Sequence, residues 1–162
     1  MPNLFRRLVS DLIARRPEAA FDLDDPRLAV AALMFHVISV DGRVTPNEKS
    51  RWEEELARRF DLSLEDAQAL AEAGRTAELE TADPASFTAR LQRNLDHEER
   101  LDLVRGLWIL VLADGVIQEF EDNVVWRIAG LLGVEARDRM ILRKEVEAEH
   151  EAAALRAAED GR

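Results

Sequence analysis

A segment of this chain repeats itself at a spacing of 73 residues. Phe35 falls on Trp108, Ile38 on Val111, Asp41 on Asp114, Gly42 on Gly115, Val44 on Ile117 and Glu48 on Glu121. Each copy is an apolar run ending in Asp-Gly, an apolar residue two positions after the Gly, and a Glu seven after the Asp. An amphipathic run and a further helical segment follow in both. Two copies are too few for an open solenoid, in which about three stacked units are needed before a continuous core forms. The halves, at about 27–75 and 100–148, are therefore expected to pack face to face about a pseudo-twofold axis.

Helix starts are legible because short polar residues, able to satisfy orphan amides, sit just before apolar-periodic runs. Asp25-Pro26 opens a run through Leu28, Ala31, Ala32, Phe35 and Ile38 that stops at Asp41-Gly42. Thr45, Pro46 and Glu48 form a cap, a first-turn proline and a capping-box acid ahead of Trp52, Leu56 and Phe60. Ser63 with Asp66 starts a helix bearing Leu70 and Ala71, with Gly74 expected near its end. Asp83-Pro84 precedes Phe87 and Leu91, and Asp96 with Glu99 is a second capping box before Val104, Leu107, Trp108 and Val111. The next helix carries Phe120, Val124, Ile128 and Leu131 as its expected inner face and stops at Gly133. A last helix from about Ala136 bears Met140, Ile141 and Val146, with an acidic end, 148–162, expected to fray. At the N-terminus, Leu4, Phe5, Leu8, Val9, Leu12 and Ile13 recur at helical spacing beside Arg6, Arg7, Arg15 and Arg16, predicting a short amphipathic basic helix over 3–16. No period-two alternation is long enough to demand a strand. The expectation is an all-α fold, a compact bundle of about eight helices forming one domain over 1–162.

Composition narrows the function classes. Lys plus Arg number 22 against 33 Asp plus Glu, a net charge of -11, so nucleic acid is a poor partner and a basic protein or a cation a better one. The absence of cysteine removes disulfides, thiolate metal sites and a cysteine nucleophile. The longest apolar runs fall short of the roughly 20 residues that span a bilayer, and Asp11, Arg15 and Arg16 break any secretory signal. A cytoplasmic protein is expected. Its N-terminal stripe either folds back on its own core or makes a weak membrane-surface contact.

Each repeated position has a physical requirement. Gly42 and Gly115 sit where a helix must stop and reverse, a place that favours positive φ. Val44 and Ile117 are expected to plug their loops into the core. Asp41 and Asp114 fall beside the N-terminus of the following helix, whose free amides attract a carboxylate. Glu48 is accounted for as a capping-box acid. Glu121 is less so, because the preceding cap position holds Gln118. One reading keeps these acids purely structural. The other has Asp41, Glu48, Asp114 and Glu121 converge on a divalent cation, Ca²⁺ or Mg²⁺, for which oxygen ligands are natural. The loops are not EF-hands, because the positions before the Gly are mostly apolar.

Ala113-Asp114-Gly115-Val116-Ile117 with Glu121, and the second copy Val40-Asp41-Gly42-Arg43-Val44 with Glu48, resemble the TerB-like tellurite-resistance family over roughly residues 27 to 148. The resemblance implies an all-helical bundle with acids at the ends of paired helices, and a bacterial cytoplasmic or membrane-peripheral protein tied to stress responses. It implies no known enzyme activity. Val40 stands where the family has a small residue, and without thiols the chain is ill suited to reduce or bind tellurite itself. No J-domain tripeptide, the mark of co-chaperones carrying related modules, is present.

Catalytic readings find little to stand on. His97-Glu98-Glu99 begins like a zincin motif, but Leu101 occupies the second histidine position. His36 lies in an apolar run and reads as a hydrogen-bonded core or rim residue, and His150 lies in the acidic tail. There is no nucleophile elbow and no phosphate-cradling loop. Trp52, Trp108 and Trp126 read as core packing. No catalytic residue is expected. The first expectation is a non-enzymatic interaction module meeting a basic partner; divalent-cation binding is the second, and a metal-assisted hydrolase on the same acids the third.

Overall fold

Local chemistry sets the helix boundaries in the computed structural model, which describes residues 24–81 and 83–161. The order is α1 (Pro26–Ile38), α2 (Pro46–Phe60), α3 (Leu64–Glu80), α4 (Ala85–Asn94), α5 (His97–Val111), α6 (Glu119–Leu131) and α7 (Ala136–Asp160). Asp25 accepts from the Arg27 amide, with Pro26 in the first turn of α1. Thr45 with Glu48 and Asp96 with Glu99 are complete capping boxes, and Ser63 accepts from the Asp66 amide. Each side-chain oxygen satisfies an amide that the helix itself leaves unpaired, a stabilisation of about 1 kcal/mol per cap. Among the described residues there are seven helices and no strand. The helix predicted over 3–16 lies outside the described residues.

The architecture is organised around α1. From Arg27 to Ile38 every residue of this helix except His36 is buried, and α1 packs against α2, α3, α4, α5 and α6. A helix apolar on all sides can only be stable when enclosed, and PRLAVAALMFHVI has no polar stripe to turn to water. Leu33, Met34, Ile38, Leu56, Leu70, Leu91, Leu107 and Trp108 are fully enclosed. Phe35 meets Trp52 with ring centroids 5.5 Å apart, and Trp108 meets Trp126 edge to face at 6.2 Å. None of the helices in the described residues is long and apolar enough to cross a membrane.

Two sequence expectations are corrected. Gly74 does not end its helix: α3 runs on to Glu80, and Gly74 is a buried mid-helix contact where α3 crosses α1. A Cβ there would lie 2.5 Å from the Ala31 Cβ and 2.8 Å from the Ala31 carbonyl carbon. The inner face of α6 is Glu121, Val125, Ile128 and Ala129, so that Phe120 is 72% exposed and Leu131 reaches solvent as well. The last helix runs to Asp160, as its Ala-, Glu- and Arg-rich composition favours.

Only Val146 of α7 is buried, and Met140 and Ile141 are exposed. Polar contacts and aromatic faces dock this helix together with Val146 and half-buried Leu142. The Arg143 guanidinium lies 5.6 Å from the Trp108 ring centroid and that of Arg139 lies 5.6 Å from Trp126. Arg139 Nε also donates to the Val134 carbonyl at 2.7 Å, and Arg105 pairs with Glu145 and Glu149.

The helix limits keep the spacing of the sequence repeat. α1 ends at Ile38 and α5 at Val111; α2 starts at Pro46 and α6 at Glu119. The segments between them, 39–45 and 112–118, are the two Asp-Gly loops.

Candidate functional site

Both loops turn on a glycine in the left-handed region. Gly42 has φ 81° and Gly115 φ 89°, and each amide closes a tight turn at 2.9 Å, Gly42 on Ser39 and Gly115 on Leu112. A side chain at either position would strain the backbone by about 1 kcal/mol or more. These turns aim the preceding aspartates. Asp41 Oδ1 accepts from the Arg43 amide at 3.0 Å and so stays within its own loop.

Asp114 does something else. Rather than capping the helix that follows it, as expected, it reaches the start of α2 in the other half of the chain. Thr45 Oγ1 donates to Asp114 Oδ2 at 3.1 Å, and Asn47 Nδ2 donates to Oδ1 at 3.2 Å. Thr45 thereby uses its hydroxyl twice, accepting from the Glu48 amide at 3.1 Å as helix cap and donating across to Asp114. The second loop is fastened to the first by its carboxylate.

Glu48 and Glu121 lie deeper. Each heads the buried stripe of its helix one turn before a core residue, Trp52 in α2 and Val125 in α6, and each side chain is buried. Glu48 Oε1 accepts from the Thr45 amide at 3.0 Å. Glu121 is 4% exposed and is hydrogen-bonded to Glu48. Its Oε2 is buried with no hydrogen-bond partner among the described residues.

The electrostatics follow from this placement. Burial, reinforced by the nearby charges of Glu48, Asp41 and Asp114, pushes the Glu121 carboxyl up to about 7. Glu48 is also raised by burial, against the opposing hydrogen bonds from Thr45, with Asp114 and Asp41 adding to the rise. All four acids thus share one seam, two buried and two, Asp41 and Asp114, exposed. The four do not constitute a preformed ligand shell. Among the described residues no three His, Asp or Glu side chains are grouped so as to hold a metal ion as they stand.

Apolar side chains accompany the acids. Val116 is 66% exposed beside Gly115, Phe120 is exposed at the start of α6, and Val40 and Val44 face solvent on the first loop. Val44 therefore does not plug its loop, whereas Ile117 is half-buried against the core. His36 lies away from the seam on α1, its Nδ1 2.7 Å from Glu78 Oε1 of α3, a rim histidine as expected. His97 occupies the first position of α5. Sequence reasoning does not reveal Thr45 and Asn47 as seam residues; Thr45 is visible there only as a cap.

An all-helical bundle in which two Asp-Gly loops bring carboxylates to one seam defines a class of small helical modules with paired acidic loops. The chain matches the family Tellurite resistance protein TerB over residues 27–144, a span that includes all of α1 but Pro26, both loops and all four acids. It belongs to the TerB family. No curated protein and no solved structure matches the chain.

Proposed function

We propose that this tellurite-resistance-related helical module is non-enzymatic and engages a basic protein partner through the corner where its two loops meet. The observation that carries this reading is the presence of exposed Asp41, Asp114 and Val116 on loops fastened to one another, with exposed Phe120 in the first turn of α6 just beyond the second loop. An exposed aromatic ring among acids offers an anchor with a charged rim, the composition of an interaction surface. The net charge of -11 steers basic partners towards it. The test is tellurite tolerance in a deletion strain of the source organism, complemented with the wild type or with Phe120→Ser combined with Val116→Ser. Both residues are on the surface, so melting should move by no more than about 1 kcal/mol, while tolerance should fall to near that of the deletion. Full complementation by the doubly substituted protein would falsify the reading.

A second reading, divalent-cation uptake at the same seam, is favoured by the buried, unpartnered Glu121 Oε2 among four acids. A hard cation would relieve their mutual repulsion, with Asp41, Glu48, Asp114 and Glu121 as the oxygen donors, and would have to displace the Glu121 proton and draw the side chains together. At pH 7.5, Ca²⁺ or Mg²⁺ at about a hundred times its dissociation constant should then stabilise the fold by about 2.7 kcal/mol relative to EDTA. Asp41→Asn and Asp114→Asn should abolish most of that shift. Equal melting temperatures with EDTA and with millimolar ions would leave the acids to structure and to the partner.

A further inference from the structure

Helix α7 rises away from the bundle. Beyond Val146 it carries little that is covered, and 151–160 is exposed throughout, Leu155 included. Where it diverges it leaves a cleft of about 210 Å³ against α2 and α5. Ile109, Leu112 and Ala113, at the end of α5 and just beyond it, form the apolar floor, and Val146, His150 and Ala153 form one wall. Positions 146, 150 and 153 are spaced four and three apart, the spacing with which a helix presents a seam to another helix. The rest of the lining is polar: Arg51, Glu55, which pairs with Arg58, and Glu149, which pairs with Arg105.

We propose that this cleft seats the apolar stripe of the chain's own N-terminal segment, residues 4–13. Three observations select that occupant. The stripe Leu4, Phe5, Leu8, Val9, Leu12 and Ile13 has the helical spacing that complements the cleft wall. Its basic companions Arg6, Arg7, Arg15 and Arg16 complement α7, whose exposed end carries Glu151, Glu159 and Asp160 against the single Arg156. The reach is also sufficient. α1 begins at Pro26 and is about 20 Å long, and its far end leads through the fastened loops to Leu112 and Ala113 at the cleft floor. Residues 17–23 span up to about 25 Å when extended, enough to return along α1. A tether of that length gives a local concentration in the millimolar range, so a weakly binding stripe fills the cleft. This proposal is independent of the partner surface at the loops.

The absence of native cysteine makes the test direct in the full chain. Leu8→Cys is combined either with Ala153→Cys in the cleft or with Leu79→Cys, an exposed position on α3, and each protein is treated with a short bis-maleimide. Within monomers, the link between positions 8 and 153 should form at least about tenfold faster than the link between positions 8 and 79, because docking raises the local concentration of one thiol at the other. Adding Leu12→Asp should remove that advantage. A second pair, Leu12→Cys with Ala157→Cys, keeps the test valid if the first variant folds poorly. Equal rates at positions 153 and 79 overturn the proposal. A link between two chains whose yield climbs with protein concentration overturns it in favour of a second copy. Protection of the thiol at position 8 by anionic phospholipid vesicles, with no preference for position 153, overturns it in favour of a membrane surface.

Discussion

Replacing Gly74 with alanine is expected to destabilise the protein by about 2–3 kcal/mol, lowering its melting temperature by about 5–10 °C. Alanine ordinarily strengthens a helix by about 1 kcal/mol relative to glycine, so the sign runs against propensity. The reason is tertiary. The new methyl would fall 2.5 Å from the Ala31 Cβ and 2.9 Å from the Ala32 amide nitrogen, backbone and near-backbone atoms of an enclosed helix that cannot rotate aside. α1 and α3 would have to separate, and the packing around Leu33 and Leu70 would loosen with them. Gly130→Ala is the matched control. Its closest neighbour is the guanidinium end of Arg139 at 3.2 Å, which can shift, so this substitution should be neutral or stabilising by up to about 1 kcal/mol. Both are read from thermal melts and urea midpoints. A Gly74→Ala protein as stable as the wild type would refute the close crossing of α1 and α3.

Glu121→Gln should stabilise the protein above neutral pH and change little in acid. In the folded protein the Glu121 carboxyl is pushed up to about 7 from its ordinary 4.5. Between those values the native state holds a proton that the unfolded chain has released, so the favourable contribution is complete below about pH 4.5 and is lost as pH rises through about 7. Above that point a charge sits buried beside Glu48. The wild type should lose about 2–3 kcal/mol through this group over the window, at about 1.4 kcal/mol per unit. Glutamine keeps the hydrogen bond to Glu48 by donating an amide N–H and carries no charge at any pH. The two proteins should therefore have nearly equal stability at about pH 4.5, and the variant should lead by about 2–3 kcal/mol at about pH 8. Parallel stability curves from about pH 5 to 8 would show that Glu121 is not held in this seam.

What is legible in the sequence is local. Thr45 with Glu48, Asp96 with Glu99, Ser63 and Asp25 are caps because their side chains reach amides two or three residues away, and nothing distant can alter that reach. The Asp-Gly turns are legible for the same reason. Gly74 misleads because a glycine near the end of an apolar run and a glycine at a helix crossing look alike in one dimension; only the position of α1 separates them. Phe120 and Glu121 exchange their expected places, because placing the aromatic inside is the better default when few residues set the phase of a short helix. The repeat does contain the correction: Glu48 and Glu121 each stand four residues before a core position, Trp52 and Val125. The hold of Thr45 and Asn47 on Asp114 has no local signal, since it depends on two loops 67 to 69 residues apart meeting in space.

The central position of α1 has a consequence for how the chain is made. Of the seven described helices it is the first to leave the ribosome, and it is the one least able to tolerate water. Its neighbours α5 and α6 lie downstream by most of a domain, which at ordinary translation speeds is a delay on the order of ten seconds. During that interval Leu28 to Ile38 are covered only in part, by α2, α3 and α4. The nascent protein should thus be a good client for ribosome-associated holdases, and slowing elongation between residues 40 and 110 should lower its yield more than slowing it later.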